Sequence, residues 1–277
     1  PVGMQASPAG EGLLFGGLVY DYSDSTSRDL ALDRMARSDM RLDFIPLSEG
    51  NRGGSWDYLP WTEKEVREIE EIWGRNEIRA QLFSGLRGTE AQFKQAVFPA
   101  RSPRVIHLAT HAYFFPDPSS YLSEEDLFSG SEPGFLLSEH PLIRSGLILA
   151  GANRAWRGEA LPQGEEDGVL TALEIAQLDL QQTELVVLSA CETGLGQIRG
   201  HEGVFGLQRA FKQAGVGSQL MSLWQVPDRA TQQFMVCFYH HWLEGNLPVP
   251  EAFSRARREL REEYPNPYYW ASWILLE

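Results

Sequence analysis

The chain has 277 residues, of which 43% are hydrophobic and 22% charged, and it carries a formal net charge of −14. That composition excludes a disordered or fibrous chain, and the acidity argues against a nucleic-acid-binding module, whose footprint is basic. No apolar run approaches the roughly 18–20 residues needed to span a bilayer, so no membrane segment is expected. Leu13 to Tyr20 (LLFGGLVY) reads as a buried strand, and Ser48 to Pro60 as a polar, glycine-containing loop. Thr62 followed by Glu65 has the spacing of a capping box, opening a helix through Val66, Ile69 and Ile72. Thr89 caps a second helix with Phe93 and Val97 inward. Arg104 to Ala109 (RVIHLA) is the next strand, followed by Thr110-His111 and a long Pro/Ser/Glu-rich excursion from Phe114 to Pro141. Ser145 to Leu149 (SGLIL), Glu184 to Ala190 (ELVVLSA), Ser218 to Trp224 (SQLMSLW) and Ser272 to Leu276 (SWILL) read as further strands. Between them lie a loop over 153–168, helices around 172–177 and from Glu202 through Ala214, a glycine-rich loop from Gly194 to Gly200, and helices over 231–243 and 250–262.

Strands alternating with helices imply an α/β fold with a mostly parallel sheet covered on both faces. In such sheets the chemistry collects at the C-terminal strand ends. His111 and Cys191 both follow strands in this way, on different strands. A cysteine nucleophile needs its thiolate, and a neighbouring imidazole supplies it. The glycines at 194 and 196 would let a substrate backbone come close, and the helix from Glu202 would bring a positive N-terminus near the thiolate.

The chain begins Pro-Val-Gly, which reads as a fragment or a processed form, and no signal peptide is recognisable. With only Cys191 and Cys237, a disulfide framework is not expected, and a reducing cytoplasm is the simplest setting. Cys237, among Phe234, Val236 and Phe238, reads as core; His240 and His241, adjacent on a helix, read as a surface pair facing different ways. No metal motif is found, and neither metal nor cofactor is expected.

Val105-Ile-His-Leu-Ala-Thr-His111 and Val186-Val-Leu-Ser-Ala-Cys191-Glu-Thr-Gly194 resemble the histidine and cysteine motifs of the CHAT family, which is similar to caspases and separases. Gly203 to Phe211, Ser222 to Asp228 and Asp167 to Ile175 resemble further blocks, so that the likeness runs from about Leu13 to the C-terminus. The resemblance implies a caspase-like fold over residues 13–277 as one peptidase domain, with 1–12 a linker or added N-terminus. It also implies a cysteine endopeptidase working through a His111–Cys191 dyad without a metal. The backbone N–H groups of Cys191 and of the His111–Ala112 region would then form the oxyanion hole. Many relatives have glycine where this chain has Ala112. The caspase signature Gln-Ala-Cys-x-Gly is absent, and the His–Cys spacing exceeds the roughly 50 residues typical of caspases. Asp228 resembles the acidic pocket residue of separases, suiting a substrate with Arg or Lys before the scissile bond; a helix N-cap is the alternative. Asp167 and Glu174 are further candidates for that acid. Trp224 is read either as a pocket wall or as a core aromatic. The expected partners are a protein substrate and an upstream tetratricopeptide-repeat (TPR) or sensor region, in a bacterial defence, CRISPR-linked or cell-death setting. Two other readings compete: an inactive CHAT-like scaffold, and a nucleotide-binding α/β domain resting on the glycine-rich loop.

Overall fold

The structure is a computed structural model and describes residues 10–21, 54–98, 102–115, 140–190 and 202–277, with side chains of the last segment from 206 onward. Six strands form the main sheet in the order β2-β1-β3-β7-β8-β9. These are β1 (Gly10–Leu18), β2 (Ile78–Gly85), β3 (Val105–Leu108), β7 (Leu185–Leu188), β8 (Ser218–Ser222) and β9 (Trp273–Leu276). All neighbours run parallel except β8 and β9. The expected mostly parallel sheet is therefore present.

Side chains alternate across each strand, so every central strand feeds two cores. Leu13, Phe15, Ile106, Leu108, Val186 and Leu188 face one core, and Leu14, Val105, Leu185, Val187 and Leu220 the other. Helix α1 (Pro60–Arg75) covers the second face, burying the stripe Val66, Ile69, Ile72 and Trp73. Helices α6 (Asp228–Tyr239) and α7 (Val249–Glu263) complete that layer through Phe234, Phe238, Ala252 and Phe253. Each of the buried Val, Ile and Phe side chains among them is worth about 1.5–3 kcal/mol. Gly12 is what lets α1 come so close, since a Cβ there would lie 2.2 Å from the Trp73 ring. The first face is covered by α2 (Glu90–Ala96) and α5 (Glu202–Gln213), through Phe93, Leu207 and Phe211.

The other strands form a separate antiparallel sheet that the sequence reading did not anticipate. It consists of β4 (His111–Phe114), β5 (Ser145–Ile148) and β6 (Val169–Thr171) in sequential order. SGLIL thus belongs to this smaller sheet rather than the main one. Its β5 meets α5 where Gly206 has no side chain; a Cβ there would lie 2.3 Å from Ser145 Oγ. Two short helices, α3 (Asn153–Trp156) and α4 (Ala172–Ile175), flank it.

Three local expectations change. Helix α1 begins at Pro60 after Leu59, and Thr62 donates its hydroxyl to Leu59 O and accepts from Gly17 N, so it is not the cap. Glu65 is drawn inward to a buried histidine instead of closing a capping box. Cys237 is only partly buried and gives its S–H to Glu259 Oε2, at 2.9 Å. The Thr89 cap is present, accepting from Gln92 N. Among the described residues no helix is long and apolar enough to cross a membrane.

Candidate active site

The chain leaves β3 in an anchored step. Ala109 N–H still donates to Phe15 O on β1, and Thr110 is buried, giving its hydroxyl to Ile148 O while lying 2.9 Å from the Tyr20 hydroxyl. His111 follows as the first residue of β4, paired with Ile148, rather than as the tail of the main-sheet strand. Its ring is packed between aromatic rings, with Tyr20 at 5.0 Å and Trp56 at 4.9 Å between centroids.

One hydrogen bond sets the chemistry of that ring. His111 Nε2 lies 2.8 Å from the backbone carbonyl of Asp57. A carbonyl can only accept, so Nε2 carries the proton and Nδ1 keeps a lone pair in the neutral ring. Burial lowers the His111 pKa to about 4, with the Asp57 carbonyl pulling the other way. The ring is therefore neutral near pH 7, a base with a fixed tautomer.

The segment that supplies the carbonyl is itself held. Trp56 N–H donates to Asn153 Oδ1 at 2.6 Å, and Asn153 Nδ2 donates back to Trp56 O at 3.1 Å. Trp56 also meets Trp156 edge-on at 4.9 Å. Asn153, Trp56 and the Asp57 carbonyl were missed in the sequence. A tryptophan and an aspartate next to a glycine-rich loop were the only signals, and a main-chain acceptor has none.

Cys191 and the glycines from 194 to 200 lie outside the described residues. What is described is the approach to them. β3 and β7 are adjacent and parallel, with Leu108 paired to Leu188. His111 and Cys191 are each the third residue after that pair. Ser189 and Ala190 are still buried at the end of β7. Ala112 is buried in β4, opposite Leu147.

Asp228 follows β8, the strand beyond β7. It is the first residue of α6, whose N-cap is Pro227 without a side-chain cap bond, so Asp228 does not serve as the N-cap. Part of its surface stays open. Desolvation and then the Glu65 carboxylate raise its pKa to about 7. Its charge is also felt at Tyr20, whose hydroxyl burial already holds well above the usual range. Asp228 and His111 thus share a neighbour at the strand ends.

The other candidates go elsewhere. Asp167 Oδ1 accepts from Val169 N at 2.8 Å in the turn before β6. Glu174 forms a capping box with Thr171 and pairs with Lys94 at 2.9 Å. Lys94 also meets Glu90 at 2.6 Å and Glu166 at 3.2 Å. Burial of Glu90 raises its pKa to about 8, against the pull of Lys94. Trp224 gives its indole N–H to Tyr268 O at 2.9 Å and packs beside the α1/α6/α7 core.

A mostly parallel six-stranded sheet, covered on both faces and carrying a histidine just beyond a central strand, is an α/β structure of caspase-like fold. The CHAT domain pattern matches residues 18–276, and the chain belongs to that family. The chain is similar to human tetratricopeptide repeat protein 28, 33% identical over 225 residues that make up 80% of this chain and 8% of that protein. It is also similar to mouse tetratricopeptide repeat protein 28, 32% identical over 226 residues, 80% of this chain and 9% of that protein. The chain therefore spans less than a tenth of the length of these curated relatives.

Proposed function

We propose that the chain is a cysteine endopeptidase with Cys191 as nucleophile and His111 as its base. The observation that carries the reading is the His111 tautomer: Nε2–H is held by the Asp57 carbonyl, which leaves Nδ1 as the basic nitrogen. On this reading Nδ1 takes the Cys191 thiol proton and the thiolate attacks the scissile carbonyl carbon. The C–N bond breaks as His111 returns the proton to the departing amine, leaving a thioester. Water, with His111 again as base, hydrolyses the thioester. The N–H groups of Cys191 and the His111–Ala112 region receive the oxyanion.

Asp228 selects a basic residue before the scissile bond. Its carboxyl is raised to about pH 7 when empty, so binding a guanidinium or ammonium favours the ionised form and draws a proton off. Asp167 and Trp224 would at most shape the pocket rim. The relatives' name supports control by an upstream repeat region. In that setting the chain acts as the effector of a defence or cell-death response. The same name gives no activity, and this keeps the second reading, a non-catalytic CHAT module that serves as a scaffold or binds an effector.

The test is covalent. A peptide with a basic residue and an electrophilic warhead should label Cys191 in the parent and leave Cys191→Ala unlabelled. His111→Ala should label far more slowly. Cleavage of a cognate protein that persists in Cys191→Ala would overturn the dyad.

A further inference from the structure

We propose that Cys237, His241 and Glu259 form a binding site for a thiophilic divalent cation of the zinc class, on the face opposite the smaller sheet. Cys237 lies on α6 and His241 four residues on, in the π turn His240–Glu244 that continues α6 without a break. Residues four apart share a helix face, and π turns recur at functional sites. Glu259 comes from the neighbouring helix α7. One carboxylate oxygen lies 2.9 Å from Cys237 Sγ and the other 2.8 Å from His241 Nε2. All three donor atoms fall within 4.8 Å of one another.

The donor set suits zinc. Thiolate, imidazole and carboxylate bind it at about 2.3, 2.0–2.1 and 2.0–2.2 Å, normally in a tetrahedron. Those lengths separate a sulfur and an oxygen ligand by roughly 3.6 Å and a nitrogen and an oxygen ligand by roughly 3.4 Å. The two contacts to Glu259 would each open by less than about 1 Å to admit the ion. Glu259 is exposed, so its carboxylate has open space on the solvent side. On binding, the Cys237 thiol proton leaves to solvent and sulfur takes its place on the metal. A thiolate and a carboxylate then balance the two charges of the ion, with Arg255 nearby as an opposing cation. Water fills the fourth position. The other converging acidic set, Glu90, Glu166 and Glu174, already holds the Lys94 ammonium. His240 faces away, paired with Glu244 at 2.6 Å.

The experiment uses the full chain carrying Cys191→Ala, in which Cys237 is the sole thiol. Cobalt(II) is titrated in, followed by zinc(II). One equivalent of cobalt should give a thiolate-to-metal charge-transfer band with tetrahedral ligand-field absorption, and zinc should bleach both. A band in this protein can come only from Cys237. Adding Cys237→Ser should abolish it, while His241→Ala or Glu259→Gln should weaken binding by about tenfold or more. Zinc should also raise the melting temperature of the parent by stapling α6 to α7, and should not raise that of His241→Ala. Absence of the band overturns the proposal. So does cobalt binding that survives all three substitutions unchanged, since the ion is then held elsewhere.

Discussion

His107 and His111 stand four residues apart and both are buried, yet their surroundings differ in kind. His107 points from β3 into the α1/α6 core, with Nε2 2.8 Å from Glu65 Oε1 and Nδ1 3.2 Å from the Tyr239 hydroxyl. Both of its nitrogens are committed. His111 has one nitrogen held by a carbonyl, and among the described residues no hydrogen bond to the other. Burial alone does not tell the two histidines apart; the count of uncommitted nitrogens does. The first ring ties a helix to the sheet, and the second keeps a lone pair that, on the proposed reading, takes the thiol proton.

Either ring can be removed to test the difference between them. The largest effect is expected for His111→Ala, which should lower kcat/KM by about 10³-fold, within the usual range for a lost general base, with far-UV circular dichroism unchanged. Next comes Glu65→Ala, which strands the buried His107. It should cost about 1–3 kcal/mol in urea unfolding, as leaving a buried polar group unsatisfied does. The fraction that remains folded should still react with the warhead, because His111 is untouched. Equal loss of warhead labelling in Glu65→Ala and His111→Ala would erase the distinction. Asn153→Ala is expected to sit between them. It removes the clamp on Trp56, costs about 1–3 kcal/mol, and slows labelling by about tenfold by loosening the Asp57 carbonyl.

The remaining effects depend on pH. His111 has a folded pKa of about 4, below its ordinary value, so the unfolded chain takes up this proton first. Its stabilising contribution is complete above about pH 6.5. It fades as pH falls toward 4, by about 3 kcal/mol in all. Asp228 works in the opposite direction. Its folded pKa of about 7 lies above the ordinary carboxyl value, so its ionised form burdens the fold above pH 7, and that burden lifts as pH falls toward 4. Asp228→Asn should therefore stabilise the protein by about 2 kcal/mol at pH 8, discounted for the open part of the side chain, and by nothing near pH 4. Urea titrations at the two pH values check this; a gain that grows on acidification would reverse the assigned sign.

Much of the fold was legible because the central strands are short apolar runs bounded by turn residues, as in RVIHLA and ELVVLSA. The edge strand β2 was not. Its residues after Ile78 are half-buried or exposed, so IRAQLFSG lacks the signature of a covered strand. The smaller sheet was missed because a run such as SGLIL specifies a strand without specifying its partner. Thr62 and Glu65 have capping-box spacing, but tertiary partners, Gly17 and His107, claim both side chains. At the candidate site, His111 and Asp228 were visible as residue types following strands. The Asp57 carbonyl was not, because every residue carries one and only the packing of its neighbours aims this one at His111.

A main-chain contribution of this kind changes how such a site can vary over generations. Asp57 points its own side chain to solvent and contributes only its main-chain oxygen to His111. Position 57 is therefore open to drift: a saturation library there should tolerate most side chains, while Trp56 and Asn153 should not. A search that looks for a third acidic residue behind the histidine would pass over this arrangement, although the orienting atom is present in every variant.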